Sequence, residues 1–281
     1  MADSCQIPSV LLFWDYDTQW GADRSRGPGG PKNWGPLEFV NTERLLDLHA
    51  QYDIKACFAV VGAAALPGER PYHDPDQIRR IYAAGHEIAS HSFRHEWLPG
   101  LDRLALLETL TRSKDALEQC IGAPVLSFVP PYNQPWDYIR ALSISVSERR
   151  EARKYRVDLE NLCEALGETG YRFCRIAYRS LPGRFLEKIT GRRRCRPVRL
   201  ERIAGITCLR LNTPCGFGPQ TVEAVEHVSR AGGYVVIYAH PHSLSAENPQ
   251  NERYLIQLME RVKALRQTGR LSVVQPRDIT A

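Results

Sequence analysis

Eight apolar runs of strand length recur along the 281-residue chain, most of them separated by segments whose apolar residues fall at helical spacing. The runs are VLLFW (10–14), KACFAVVG (55–62), HEIAS (86–90), VLSFV (125–129), YRFCRIAY (171–178), ITCLRL (206–211), YVVIYA (234–239) and LSVV (271–274). Helical patterns cover 37–52, 74–84, 101–121, 220–231 and 251–268, several opening on Asp or Asn and closing near Gly. Alternation of this kind favours parallel strands joined by crossover helices. Eight strands suit a closed or nearly closed barrel, although an open doubly wound sheet has the same pattern. In both, function gathers at the carboxyl ends of the strands.

A content of 43% hydrophobic and 25% charged residues is that of a soluble globular protein and argues against disordered and fibrous classes. One domain, 1–281, accommodates all eight runs. No leader pattern opens the chain and no apolar run approaches the roughly 20 residues of a membrane span, so a cytoplasmic location with no transmembrane segment is expected. The eight cysteines form no CxxC pair, and Cys57 and Cys208 lie in strand-like runs; reduced, buried thiols are expected. The net charge of +5 is uneven, with 17 Lys or Arg against 8 Asp or Glu between Arg140 and Arg202. This basic insertion, 140–202, contains SERREARKYR (147–156) and GRRRCRPVRLER (191–202). Charge runs are usually solvated faces. Attraction to a phosphate-bearing or lipid-linked substrate, with peripheral membrane contact, is the functional alternative. Few aromatics interleave the charges, so no nucleic-acid partner is expected.

Two constellations carry chemistry. WDYD places Asp15 and Asp17 at the end of the first run, where they suit a metal ligand with a base, a phosphatase nucleophile pair, or a turn. GHEIASHSFRHEW (85–97) places His91 and His95 four apart after a short strand. That spacing lets two imidazoles converge on one ion from a helical turn, with a carboxylate from another strand as third ligand and positions left open for water and substrate. His86, at the strand's start, reads as structural. Ser92 or Glu96 is placed to hold a ligand imidazole.

With these motifs the chain resembles the polysaccharide deacetylase family, also called NodB-homology or carbohydrate esterase 4. The matching positions are Asp15 with Asp17, His91 to His95, Val129-Pro130-Pro131-Tyr132, and Tyr238-Ala239-His240, and their order spans most of the chain. The D-x-D form, with Tyr16 between the aspartates, resembles the family's cytoplasmic and deformylase-like branches. The resemblance implies a distorted (β/α)7-8 barrel holding one divalent ion through Asp17, His91 and His95, zinc before Co2+, Mn2+, Ni2+ or Fe2+. It implies Asp15 as base, the Tyr132 backbone as oxyanion donor and His240 as acid, with His242 as competitor for that role. Trp20, Pro131, Arg94 and His242 complete the set as substrate-binding candidates. Residues two apart on a strand point the same way, about 7 Å apart, so one carboxylate binds the ion while the other faces the water it polarises.

The implied activity is metal-dependent N-deacetylation of an acylated amino sugar in a glycan, glycolipid or metabolite precursor. N-deformylation, a metal-binding pseudoenzyme and a haloacid-dehalogenase-like phosphatase are the rivals. The phosphatase leaves His91, His95 and His240 unemployed. Two departures stand out. Val129 occupies the position where the family has an arginine pairing with the base, with Arg94 or Arg210 as candidate replacements. Near ITCLRLNTPCGFG, Asn212 is the nearest polar candidate to orient the acid histidine. Among Trp14, Trp20, Trp34, Trp97 and Trp136, one or two are candidates to stack on a sugar ring.

Overall fold

Every residue of the first strand, β1 (Ser9–Tyr16), is buried, because the strand is covered on both faces. Its side chains alternate as the pleat requires. Leu11 and Phe13 join an inner apolar cluster, while Val10, Leu12, Trp14 and Tyr16 join an outer one beneath the helices. The same two-phase pattern runs round a single mixed sheet in this computed structural model, which describes residues 7–25, 34–133, 159–177, 189–190, 195–244 and 250–280. The basic stretch 147–156, part of 191–202, and Trp136 lie outside the described residues.

The other strands are β2 (Cys57–Val60), β3 (Glu87–Ser90), β4 (Ser127–Phe128), β5 (Phe173–Ile176), β6 (Glu201–Ile203), β7 (Ile206–Arg210), β8 (Tyr234–Ala239) and β9 (Ser272–Val273). Their order is β6-β7-β5-β4-β3-β2-β1-β8, with β9 on the start of β1. All pairs are parallel except β6 with β7. Each of the eight apolar runs contains one strand; β6, short and half-exposed, was not expected. The helices are α1 (Thr18–Arg24), α2 (Gly35–Tyr52), α3 (Pro75–Ala83), α4 (Arg103–Ile121), α5 (Leu159–Glu168), α6 (Pro219–Ala231) and α7 (Glu252–Gln267). Helices α3, α4 and α7 begin at Asp74, Asp102 and Asn251, whose side chains accept the amides of Gln77, Ala105 and Tyr254, the capping expected of these residues. Helix α1 starts directly after Asp17, and α5 with β5 lies within 140–202. That range is therefore part of the barrel wall where it is described.

The sheet curls into a distorted barrel whose remaining gap separates the β6–β7 hairpin from β8. Val198 and Tyr234 exchange backbone hydrogen bonds of 3.0 and 2.9 Å across it. A second bridge, Cys215–Tyr238, and the side chains of Thr213 and Asn212 close the rest. Asn212 Nδ2 donates to the carbonyls of Arg196 and Tyr234, and its Oδ1 accepts the Val236 amide at 2.8 Å. This side chain does the work of a peptide unit at the seam; it does not contact His240, so the expectation that it orients the acid is not met.

Beneath β1, two histidines are held neutral. His49, in the last turn of α2, accepts the Trp14 indole N–H through Nε2 at 2.8 Å and donates from Nδ1 to the Ile54 carbonyl at 2.7 Å. His86 lies edge-on to it at 4.9 Å, and its Nδ1 accepts the Ala56 amide. Burial pushes His49 down to about 4; burial, with His49 and Lys55 nearby, pushes His86 down to about 3. Both values lie below the unfolded value, so the unfolded chain takes up protons first as pH falls. Their contribution is full above about pH 6.5 and is lost on the way down to about pH 4, by up to about 1.4 kcal/mol per pH unit for each ring. Urea midpoints should therefore fall between pH 7 and pH 5, and less steeply in His86→Gln; equal slopes in the two proteins would contradict this.

Candidate functional site

The carboxyl ends of β1, β3 and β8 and the turn after β4 converge on a cleft of about 310 Å³. Asp15, Asp17, Ser25, Trp34, His91, His95, Tyr132, His240, His242, Ser243 and Gln250 line it. Trp20, Arg94 and Pro131 do not. Arg94 is exposed and lies over the Trp20 ring at 5.1 Å, and Pro131 is buried at the start of the turn Pro131–Asn133.

Asp17 follows β1 directly, and His91 follows β3. Each of Asp17, His91 and His95 offers one ligand atom, and these atoms all lie within 4.8 Å of one another. Asp17 Oδ1 is 3.4 Å from His91 Nε2 and 3.6 Å from His95 Nε2. All three residues are buried. The histidines do not share a helical turn. Ser92 and His95 adopt left-handed φ of 61° and 57°, and this irregular loop folds His95 back beside His91. Ser92 Oγ accepts the Glu96 amide, and the Glu96 carboxylate accepts the Arg94 amide at 2.9 Å. They brace the loop, whereas the imidazole of His91 is held by the Val129 carbonyl, 2.6 Å from Nδ1. That bond puts the proton on Nδ1 and leaves the Nε2 lone pair facing Asp17.

The donor set fits a divalent cation. Two imidazole nitrogens and a carboxylate suit zinc and its first-row neighbours. Asp17 Oδ1 is a buried oxygen that accepts no hydrogen bond among the described residues. Against the effect of burial, His95 and His91 hold the Asp17 carboxyl well below the usual carboxylate range.

The missing guanidinium comes from β5. Arg175 Nη1 and Nη2 reach Asp15 Oδ1 and Oδ2 at 2.8 and 2.7 Å, a two-pronged pair inside the barrel. Phe13 and Tyr238 flank the guanidinium at 5.1 and 5.0 Å. Burial opposes ionisation of Asp15, but Arg175 outweighs it and the carboxyl stays below its ordinary value. Register explains the substitution: Phe128 pairs with Cys174, so Val129 and Arg175 occupy neighbouring inward positions one step further on. Arg210 instead pairs with Glu201, and Arg94 faces outward, so neither sequence candidate tethers Asp15. The signal in YRFCRIAY was a charge in the same strand phase as the inner residue Phe173.

On the opposite wall, His240 Nε2 lies 4.0 Å from Asp15 Oδ2. Gln250 Oε1 accepts the His240 amide at 2.9 Å and lies 3.3 Å from Nδ1, with Cys215 Sγ at 3.7 Å. Burial lowers the affinity of this ring for a proton, but Cys215, Asp17 and Asp15 raise it to about 10. His242 is more enclosed: its ring stacks on Trp34 at 4.2 Å, and Nδ1 is 3.4 Å from Glu38 Oε2. Tyr132 has φ 61° and its hydroxyl donates to the His95 carbonyl at 3.3 Å.

Removing one partner of a buried ion pair leaves an uncompensated charge. Arg175→Met should thus destabilise the fold by about 3–5 kcal/mol in urea unfolding, and Val129→Arg in the same background should recover part of the loss. No recovery would mean that the two positions are not interchangeable routes to Asp15.

Residues 34–146 match the family model described as polysaccharide deacetylase. Chitin deacetylase 1 of Cryptococcus neoformans var. grubii is 28% identical over 109 residues, 39% of this chain and 22% of that protein. The peptidoglycan-N-acetylglucosamine deacetylase of Bacillus cereus is 24% identical over 152 residues, 46% of this chain and 52% of that one. The matched stretch thus spans about half or less of these relatives. A crystal structure from Mycobacterium smegmatis described by the same family name shares the fold, with a TM-score of 0.62 at 21% identity over 100% of this chain and 91% of that one. The distorted barrel, the strand-end motifs and the match over residues 34–146 point the same way: this stretch is similar to the polysaccharide deacetylase family.

Proposed function

We propose that the domain is a metal-dependent amide hydrolase that removes the N-acetyl group of an amino sugar, through Asp17, His91 and His95 as metal ligands, Asp15 as base and His240 as acid. The observation that carries this reading is the placement of Asp15, fixed by Arg175 on one side and 4.0 Å from His240 on the other, beside the three-ligand cluster. Zinc is the first choice of ion. Such an ion supplies Lewis acidity, polarising the acyl carbonyl and making water acidic enough to attack at neutral pH.

The chain's own residues move the protons. Asp15, kept ionised by Arg175, takes a proton from the attacking water, and His240 gives its Nε2 proton to the departing amine. Against the effect of burial, Cys215 and Asp15 beside the ring raise its affinity for a proton and favour the charged form that this role needs. Return of the proton from Asp15 to His240 across the same 4.0 Å restores both groups. The Tyr132 backbone is the candidate oxyanion donor. Binding of both Asp15 oxygens by Arg175 also disfavours the phosphatase reading, in which that carboxylate attacks phosphorus.

The lining supports a hydroxyl-rich, uncharged sugar unit: Ser25, Ser243 and Gln250 offer hydrogen bonds, Trp34 offers an apolar face, and no Lys or Arg is among the described lining residues. The relatives' names point to N-acetylated sugars, which favours acetyl over formyl as the acyl group. A phosphate on the substrate would have to lie beyond this cleft.

Asp17→Ala, His91→Ala and His95→Ala should each lose bound metal after dialysis, whereas Asp15→Asn should retain it and lose about 10²–10⁴ in kcat for acetate release from N-acetylated chitooligosaccharides. Equal metal loss in all four variants would overturn the division of roles between the two aspartates.

A further inference from the structure

Asp17 begins α1 without capping it by its own side chain, and Thr18 next to it holds a left-handed φ of 53°. The amides at a helix start need an acceptor. Here it comes from a different helix: Glu38 Oε2, on α2, accepts the Thr18 amide at 2.8 Å and the Asp17 amide at 3.2 Å. Glu38 is fully buried, so this carboxylate is placed by the fold and not by solvent. A second constraint acts on the Asp17 side chain. A Cβ at Gly21 would lie 2.5 Å from Asp17 Cβ and 2.9 Å from Cγ, so only glycine there leaves the carboxylate where it is. A third links this corner to the cleft wall: the same Glu38 oxygen is 3.4 Å from His242 Nδ1, whose ring lies parallel to Trp34.

We propose that Glu38 is a positioning residue for the metal-site carboxylate, fixing Asp17 through its backbone and, through His242, tying that ligand to the wall that carries Trp34. The inference rests on the metal reading of Asp17, His91 and His95. Its physical basis is that a ligand contributes full affinity only when its orientation is already fixed, and a left-handed residue beside it makes the local backbone dependent on outside support. Glu38 supplies that support without touching the ion.

The test is Co2+ titration of the apoprotein, read by affinity and by the visible absorption of the bound ion, with no turnover required. Glu38→Ala, which removes the acceptor, should weaken Co2+ binding about 10–100-fold and alter the spectrum, and Glu38→Gln, which keeps an oxygen for the two amides, should recover most of the affinity. Circular dichroism and thermal melting of the apoproteins establish that the folded state is being compared; if Glu38→Ala does not fold, Glu38→Asp, whose carboxylate is withdrawn by one methylene, is read in its place with the same expected loss. Wild-type affinity and spectrum in the folded variant would overturn the inference alone, even if apoprotein stability fell. A wild-type protein that binds no divalent ion would overturn it together with the metal reading.

Discussion

The site is organised around a guanidinium placed inside a barrel. Burying a charge is costly unless it is paired and its donors are used. Arg175 meets that condition through two bonds to Asp15 and through two aromatic rings that flank its plane. The pair joins β1 to β5 across the interior, strands that are not neighbours in the sheet. It therefore fixes the Asp15 carboxylate inside the barrel, 4.0 Å from His240. The two aspartates of WDYD are consequently unlike in environment: one is neutralised by protein, the other faces imidazoles.

Helix α2 is the second organiser. From one helix, Glu38 reaches the start of α1, Asn41 donates to the Pro241 and Leu244 carbonyls after β8, and His49 sits beneath Trp14 of β1. The Asp17 side and the His240 side of the cleft are thereby referred to the same helix. A common support of this kind is what a site requires when catalysis depends on groups held within a fraction of an ångström.

Much of this was legible in the sequence because its signals were local. Long apolar runs such as YVVIYA announced their strands, Asp102 and Asn251 announced helix starts, and the histidines of SHSFRH announced a site. What escaped depended on contacts between distant segments. Arg175 looked like one more charge in a basic region, since nothing local says that residue 175 faces residue 15. Asn212 looked like a polar neighbour for the acid, but its partners belong to another strand. Glu38 resembled an ordinary acidic residue in a helix's first turn. The helical-turn reading of His91 and His95 failed because spacing does not reveal left-handed φ at Ser92 and His95. Strand β6 and helix α1 are too short to impose a periodicity.

The seam between the β6–β7 hairpin and β8 leaves the wall of the cleft unevenly held. Strand β8 shares a six-residue ladder with β1, whereas its other edge is met by two isolated bridges, Val198–Tyr234 and Cys215–Tyr238, and by the side chains of Asn212 and Thr213. Local opening begins where the fewest backbone bonds must break. The outer edge of β8 is therefore where the barrel opens at least cost, on the side of the cleft that carries His240.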